Sequence, residues 1–132
     1  MELALMAPWI FLLFATLFDF GIYAYAGMAT ANAARAAALR TSSSIANVAD
    51  QQLACIFARR ELRMLPNVSQ TTNCTALPLI VTAAAGSRPN QFGTPTPTSV
   101  VSVTYQTPQL FPLPWLMGRF TLTRISEMRV YR

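Results

Sequence analysis

The sequence predicts an α+β protein: one long N-terminal helix, a second helix, and a three-stranded antiparallel sheet. Three observations carry this expectation. The opening, MELALMAPWIFLLFATLFDFG, is apolar almost without interruption. An Ala-rich stretch, ANAARAAALR, follows closely and favours continued helix. Further on the pattern changes to strict alternation, cleanest in SVVSVTYQT at 99–107.

Residues 3–27 make a membrane-length segment, about 37 Å as a helix against a hydrocarbon core of about 30 Å. The stretch has neither the basic flank nor the small-x-small site of a signal peptide. Pro8 falls in the second turn, where it bends the start rather than breaking the helix. The helix is expected to run on to about Arg40, and its Ala-rich outer half invites close approach by other helices.

The hydroxyls of TSSS at 41–44 favour a helix end. A second helix is expected from Ser44 to just before Pro66, with Ile45, Ala49, Leu53, Ile56 and Phe57 on its buried face. Arg59, Arg60 and Arg63 near its end complement the helix dipole. They read as a solvated or ion-paired face rather than a nucleic-acid site.

A polar loop carrying Cys74 occupies 67–75, and a short strand is expected at 77–85. GSRPNQFGTPTPT at 86–98 reads as a loop. The strand at 99–107 places Val101, Val103 and Tyr105 on one face. An apolar, Pro-punctuated crossing with Trp115 follows. The final stretch alternates Phe120, Leu122 and Arg124 against Thr121, Thr123 and Ile125. One face of the sheet is expected to rest on the second helix. The chain thus divides into a long helix at 1–41, with its membrane segment at 3–27, and a small α+β head at 42–132.

Composition argues against an enzyme. All ten basic residues are Arg, and the absence of His removes the commonest general base. The five acidic residues are widely separated, without metal-ligand spacing. No glycine-rich phosphate loop occurs. No catalytic, cofactor-binding or metal-binding residues are therefore assigned, and no specific nucleic acid is expected as a partner.

Cys55 and Cys74 are not in CxxC spacing. In a reducing cytosol they would be two small buried thiols; in an oxidising compartment they would form a bridge. The outward-pointing features favour the bridge, worth roughly 3 kcal/mol for a loop of about 20 residues. NVS at Asn67 and NCT at Asn73 match the N-glycosylation pattern. Thr94, Thr96 and Thr98 are candidate O-glycosylation sites, although a stiff exposed loop explains the Pro-Thr run as well.

Two carboxylates, Glu2 and Asp19, bracket the apolar segment. A charge at membrane depth costs roughly 3 kcal/mol on insertion scales and asks for a partner. The simple reading puts both at the headgroups, with Tyr23 and Tyr25 as belt aromatics. The sharper reading is lateral assembly. Glu2 would then face a neighbouring subunit's terminal amine, and Asp19 would face Arg35 or Arg40 of a subunit displaced along the axis.

ELALMAP followed by FDFG resembles the opening of TadE-like pilus proteins, with Glu2, Ala4, Leu5, Pro8, Asp19, Phe20 and Gly21 in the corresponding places. ANAARAAALR is similar to that family's Ala/Arg-rich extension, and VSVTYQTP, PLPWLMG and EMRVYR look like its C-terminal sheet. The resemblance implies a type IV pilin-like fold of the tight-adherence class. It implies a short basic leader removed by prepilin peptidase, a stay in the inner membrane, and extraction by the pilus assembly machinery into an extracellular filament of like subunits. Glu2 would take the role of the Glu that pairs with a neighbour's amine. The expected function is therefore structural, with the long helices forming the filament core. The alternative is a non-polymerising bitopic inner-membrane protein, or a minor pseudopilin, presenting a small periplasmic interaction domain.

Overall fold

The computed structural model describes residues 2–109 and 118–130, with the side chains of residues 2–5 excepted. Helix α1 spans Glu2–Thr41 without a break, Pro8 included. At 40 residues it is about 60 Å long. It ends where expected. Ser42 and Ser43 turn their hydroxyls back to the carbonyls of Leu39 and Arg40, at 3.0 and 2.8 Å.

That use of the hydroxyls moves the start of the second helix. Instead of one helix from Ser44, a short 3₁₀ turn at Ile45–Asn47 precedes α2 at Gln51–Leu62. Asp50 is the cap, accepting from the Leu53 amide at 3.0 Å, whereas Ser44 makes no capping bond. The buried face also differs from expectation. Ala54, Ala58 and Leu62 face inward, while Ile45 and Ile56 are exposed. The reason lies across the interface: α1 offers Ala33, Ala34, Ala37 and Ala38, all fully buried. Small residues on both helices let them approach closely, and a larger Ile in the seam would hold them apart.

Among the described residues the sheet has four strands rather than three, in the order β1-β2-β3-β4, all neighbours antiparallel. The extra strand β1 is only Thr75–Ala76, too short for alternation to announce it. Strands β2 (Leu79–Pro89) and β3 (Pro95–Gln106) are longer than expected and absorb most of the stretch read as a loop. Only residues 90–94 connect them. The prolines are tolerated because of where they fall. Pro97 accepts from the Val130 amide at 3.1 Å at the end of the β3–β4 ladder, where its missing N–H interrupts nothing further. Pro95 shares its orientation two residues earlier, beyond the last residue of β4 (Thr121–Arg129). Gly86 lies opposite Thr98, and a Cβ there would come within 2.6 Å of the Thr98 hydroxyl, so the close strand approach requires glycine.

The inner face of the sheet carries Leu79, Val81, Val101, Val103 and Tyr105, all fully buried. It packs with the Ala-rich faces of α1 and α2 into one core, with Leu122 and Met128 of β4 at its edge. The expected faces of β3 and β4 hold, with Ile125 directed outward. The sheet rests on α1 as well as on α2. The core thus enlists α1 from Ala26 onward, and α2, the sheet and that half of α1 are hereafter the head. Cys55 and Cys74 form a disulfide, Cα–Cα 5.8 Å, tying α2 to the segment entering β1. The Trp115 crossing lies outside the described residues.

Candidate assembly surface

Helix α1 is two helices in character. From Ala26 to Thr41 one face is sealed into the head. Before Asp19 the helix stands clear, and its large apolar side chains are exposed on every side. Trp9 and Phe11 are each 72% exposed, and Ile10, Leu13, Phe14, Leu17, Phe18 and Phe20 are also exposed. The helix is long and apolar enough to cross a membrane. An all-round apolar surface is the mark of a helix surrounded by lipid or by other helices.

Asp19 sits at the boundary. It is 3% exposed, although Leu17, Phe18, Phe20 and Gly21 around it are all exposed. It continues the head-facing stripe of Ala26, Thr30, Ala33, Ala37 and Thr41. The polar members of that stripe are not equivalent. Thr30 donates to the Ala26 carbonyl at 2.7 Å, and Thr41 donates to that of Ala37 at 3.0 Å. Thr41 also meets the Ser99 hydroxyl at 2.6 Å, and Ser99 donates to the Val48 carbonyl at 3.1 Å. A carboxylate has no proton to give a helix carbonyl. The Asp19 Oδ1 has no hydrogen-bond partner among the described residues. A buried acceptor left so costs about 1–3 kcal/mol.

One turn further, Tyr23 fastens the head to the helix. Its hydroxyl donates to the Gly118 carbonyl at 3.1 Å, and its ring meets Phe120 edge-on at 5.0 Å between centroids. Thr107 holds the same segment through both backbone groups of Phe120, at 2.9 and 3.0 Å. Tyr23 and Tyr25 therefore differ: Tyr25 is exposed as a belt residue would be, while Tyr23 is a clasp.

Residues 1–39 match the family model of TadE-like proteins. The TadE-like segment is α1 almost end to end, and it contains Glu2, Asp19 and Arg35. Together with the apolar helix, it fits a pilus-associated, pilin-like protein. No curated protein and no solved structure matches the chain.

The residues expected to act in assembly stand apart on this helix. Arg35 is exposed, and Arg40 lies over the Phe57 ring, 5.2 Å from its centroid. Both are carried by the same straight helix as Asp19, about 24 and 32 Å along it by helical rise. No pairing within one chain is possible. The Glu2 side chain lies outside the described residues. Arg59 donates to the carbonyls of Gln70 and Thr72, so it holds the polar loop rather than a ligand.

The candidate sugar acceptors are also unlike one another. Asn73 is exposed beside the disulfide. The Asn67 amide is occupied: its Nδ2 donates to the Gln106 carbonyl at 3.1 Å, and its Oδ1 accepts from Tyr105. Thr94 is exposed, Thr96 donates to the Arg88 carbonyl at 2.8 Å, and Thr98 is buried. Among the described residues no three His, Cys, Asp or Glu side chains come together as a metal site.

Proposed function

We propose that this protein is a structural subunit of an extracellular pilus-like filament. It is held in the inner membrane by α1 before assembly, and packs through α1 with further copies afterwards. The observation that carries the reading is the bare apolar part of α1, with large apolar side chains exposed on all sides from Met6 to Phe18. Lipid satisfies that surface before assembly, and identical helices satisfy it in the filament. Prepilin peptidase and the pilus assembly machinery are the remaining partners this reading requires.

In the filament, Asp19 pairs with Arg35 or Arg40 of a copy displaced along the axis, and Glu2 with a neighbour's terminal amine. Asp19 Oδ1, buried without a hydrogen-bond partner among the described residues, supports its part in this. Turning outward breaks no hydrogen bond between that oxygen and the described residues, and gains a charge-assisted one. Asn73 and Thr94, both exposed, are the better-placed sugar acceptors on the head.

Sheared fibres imaged by electron cryomicroscopy test the function. Expected is a repeating density that this chain traces, with α1 at the centre. If the chain stays in the inner-membrane fraction and no fibre contains it, the filament reading fails. The non-polymerising protein, or the minor pseudopilin, then replaces it. Within the filament reading, Asp19→Asn is expected to lower fibre yield at least tenfold while leaving membrane insertion and the disulfide intact. An undiminished yield removes Asp19 from assembly.

A further inference from the structure

The lower end of the head, where it meets the bare part of α1, is fixed by three connections. Tyr23 holds Gly118 and Phe120, as described. Tyr105, two residues before Thr107 on the same descending chain, donates to the Pro66 carbonyl at 2.9 Å. Gln106 donates from its amide to the Pro78 carbonyl at 2.9 Å. These bonds bring the end of α2, the turn before β2 and the entry to β4 to one level, that of Tyr23.

The surface at this level has an unusual composition. Met64 is 70% exposed, and Leu77 and Phe120 are exposed as well. Beside them stand Arg63 and Arg119, both exposed. Arg119 and Leu77 line one cleft of ≈ 750 Å³ with Asn67 and Gln106. Among the described residues the one ion pair is Arg88–Glu127 at 2.7 Å, on the far part of the sheet. Asp50 is occupied as a helix cap. Among the described residues neither Arg63 nor Arg119 is in an ion pair.

Length supplies the second argument. Asp19 already faces the head, so the helix is free of it only up to residue 18. Residues 3–18 make a helix of about 24 Å, slightly less than a hydrocarbon core of about 30 Å, so the head is drawn down onto the bilayer surface. The rim then sits in the headgroup layer. Exposed apolar residues interleaved with guanidinium groups are what an anionic interface binds.

We propose that this basal rim docks on the phosphates of anionic phospholipids. Arg63 and Arg119 take the phosphate oxygens, and Met64, Leu77 and Phe120 enter the acyl boundary. Arg suits the task because its planar fork matches phosphate oxygens two at a time. The inference rests on the membrane-held stage of the reading above and is independent of polymerisation. It gives the head a fixed seat on the bilayer before extraction.

The test uses the full chain reconstituted in vesicles of phosphatidylcholine with phosphatidylglycerol. Electron paramagnetic resonance of spin-labelled lipids reads which lipid the protein retains. Phosphatidylglycerol is expected to be preferred by about fivefold or more. Arg63→Gln with Arg119→Gln should bring the preference close to one, and Arg63→Lys with Arg119→Lys should restore part of it. Arg88→Gln, on the far part of the sheet, should leave it unchanged. An inserted wild-type chain with no preference overturns the rim alone, as does an equal loss in Arg88→Gln. Erasure of the preference by excess inorganic phosphate also overturns it, making the cleft a free-phosphate site. A chain washed from the vesicles by carbonate overturns the membrane-held stage as well.

Discussion

Tyr105 shows how much one side chain can settle. It is fully buried on the inner face of β3, yet its hydroxyl lies 2.9 Å from both the Pro66 carbonyl and Asn67 Oδ1. Burial pushes its pKa up from 10.0 to about 12. The folded protein therefore holds this proton more tightly than the unfolded chain does. Its contribution is complete below pH 10 and is lost as pH rises from 10.0 to about 12. Thermal unfolding followed by circular dichroism should show stability falling across that window, and Tyr105→Phe should flatten the fall. At neutral pH the same substitution should cost about 1 kcal/mol for the lost hydrogen bond. The position of Tyr105 was legible in the sequence, because Val101, Val103 and Tyr105 alternate cleanly. The role of Asn67 was not. Its motif suggests a sugar acceptor, but it adopts a left-handed backbone, φ 65°, and spends its amide on the fold. No local pattern signals a partner 39 residues away.

At the scale of elements, the seam between α1 and α2 was half legible. The Ala-rich run announced a helix and a close contact. It did not announce which face of α2 would answer it, because Ala weighs little in a hydrophobic pattern and Ile45, Leu53 and Ile56 weigh much. The structure resolves the conflict through steric fit: Ala54 and Ala58 enter the seam and Ile56 stays out. Ala58→Leu should therefore destabilise the head by about 1–3 kcal/mol through overpacking, while Ile56→Ala should change stability by less than about 0.5 kcal/mol. Chemical denaturation of both variants checks this, and the opposite ranking would restore the face predicted from periodicity. The β2–β3 ribbon was hidden for a related reason. Pro and Thr at alternate positions read as a loop, since sequence does not show that Pro97 and Pro95 turn their nitrogens toward the end of the β3–β4 ladder, where no further pairing is lost.

For the whole molecule, the order of elements and the long helix were readable, because a 40-residue helix needs only composition to declare itself. The stopping point of the head on that helix was not. It depends on Tyr23 meeting Gly118 and Phe120, 95 residues away in the case of Gly118. The Trp115 crossing and the Glu2 side chain lie outside the described residues. The disulfide acts at this scale too. It closes a separation of 19 residues, so its removal should cost the head roughly 3 kcal/mol. Reduction, or Cys55→Ser with Cys74→Ser, should lower the head's melting temperature by more than about 10 °C and leave the helicity of α1 in place. An unchanged melting temperature would mean that packing alone holds α2 to β1.

The position of that disulfide has a mechanical consequence. Both cysteines follow α1 in the chain, and neither lies on it. In a fibre joined through α1, tension passes from helix to helix along the axis and bypasses the head. The cystine is therefore outside the load path. A reductant would loosen the coat of such a fibre while its tensile core stayed whole, so breaking strength and surface integrity are separately adjustable in this design.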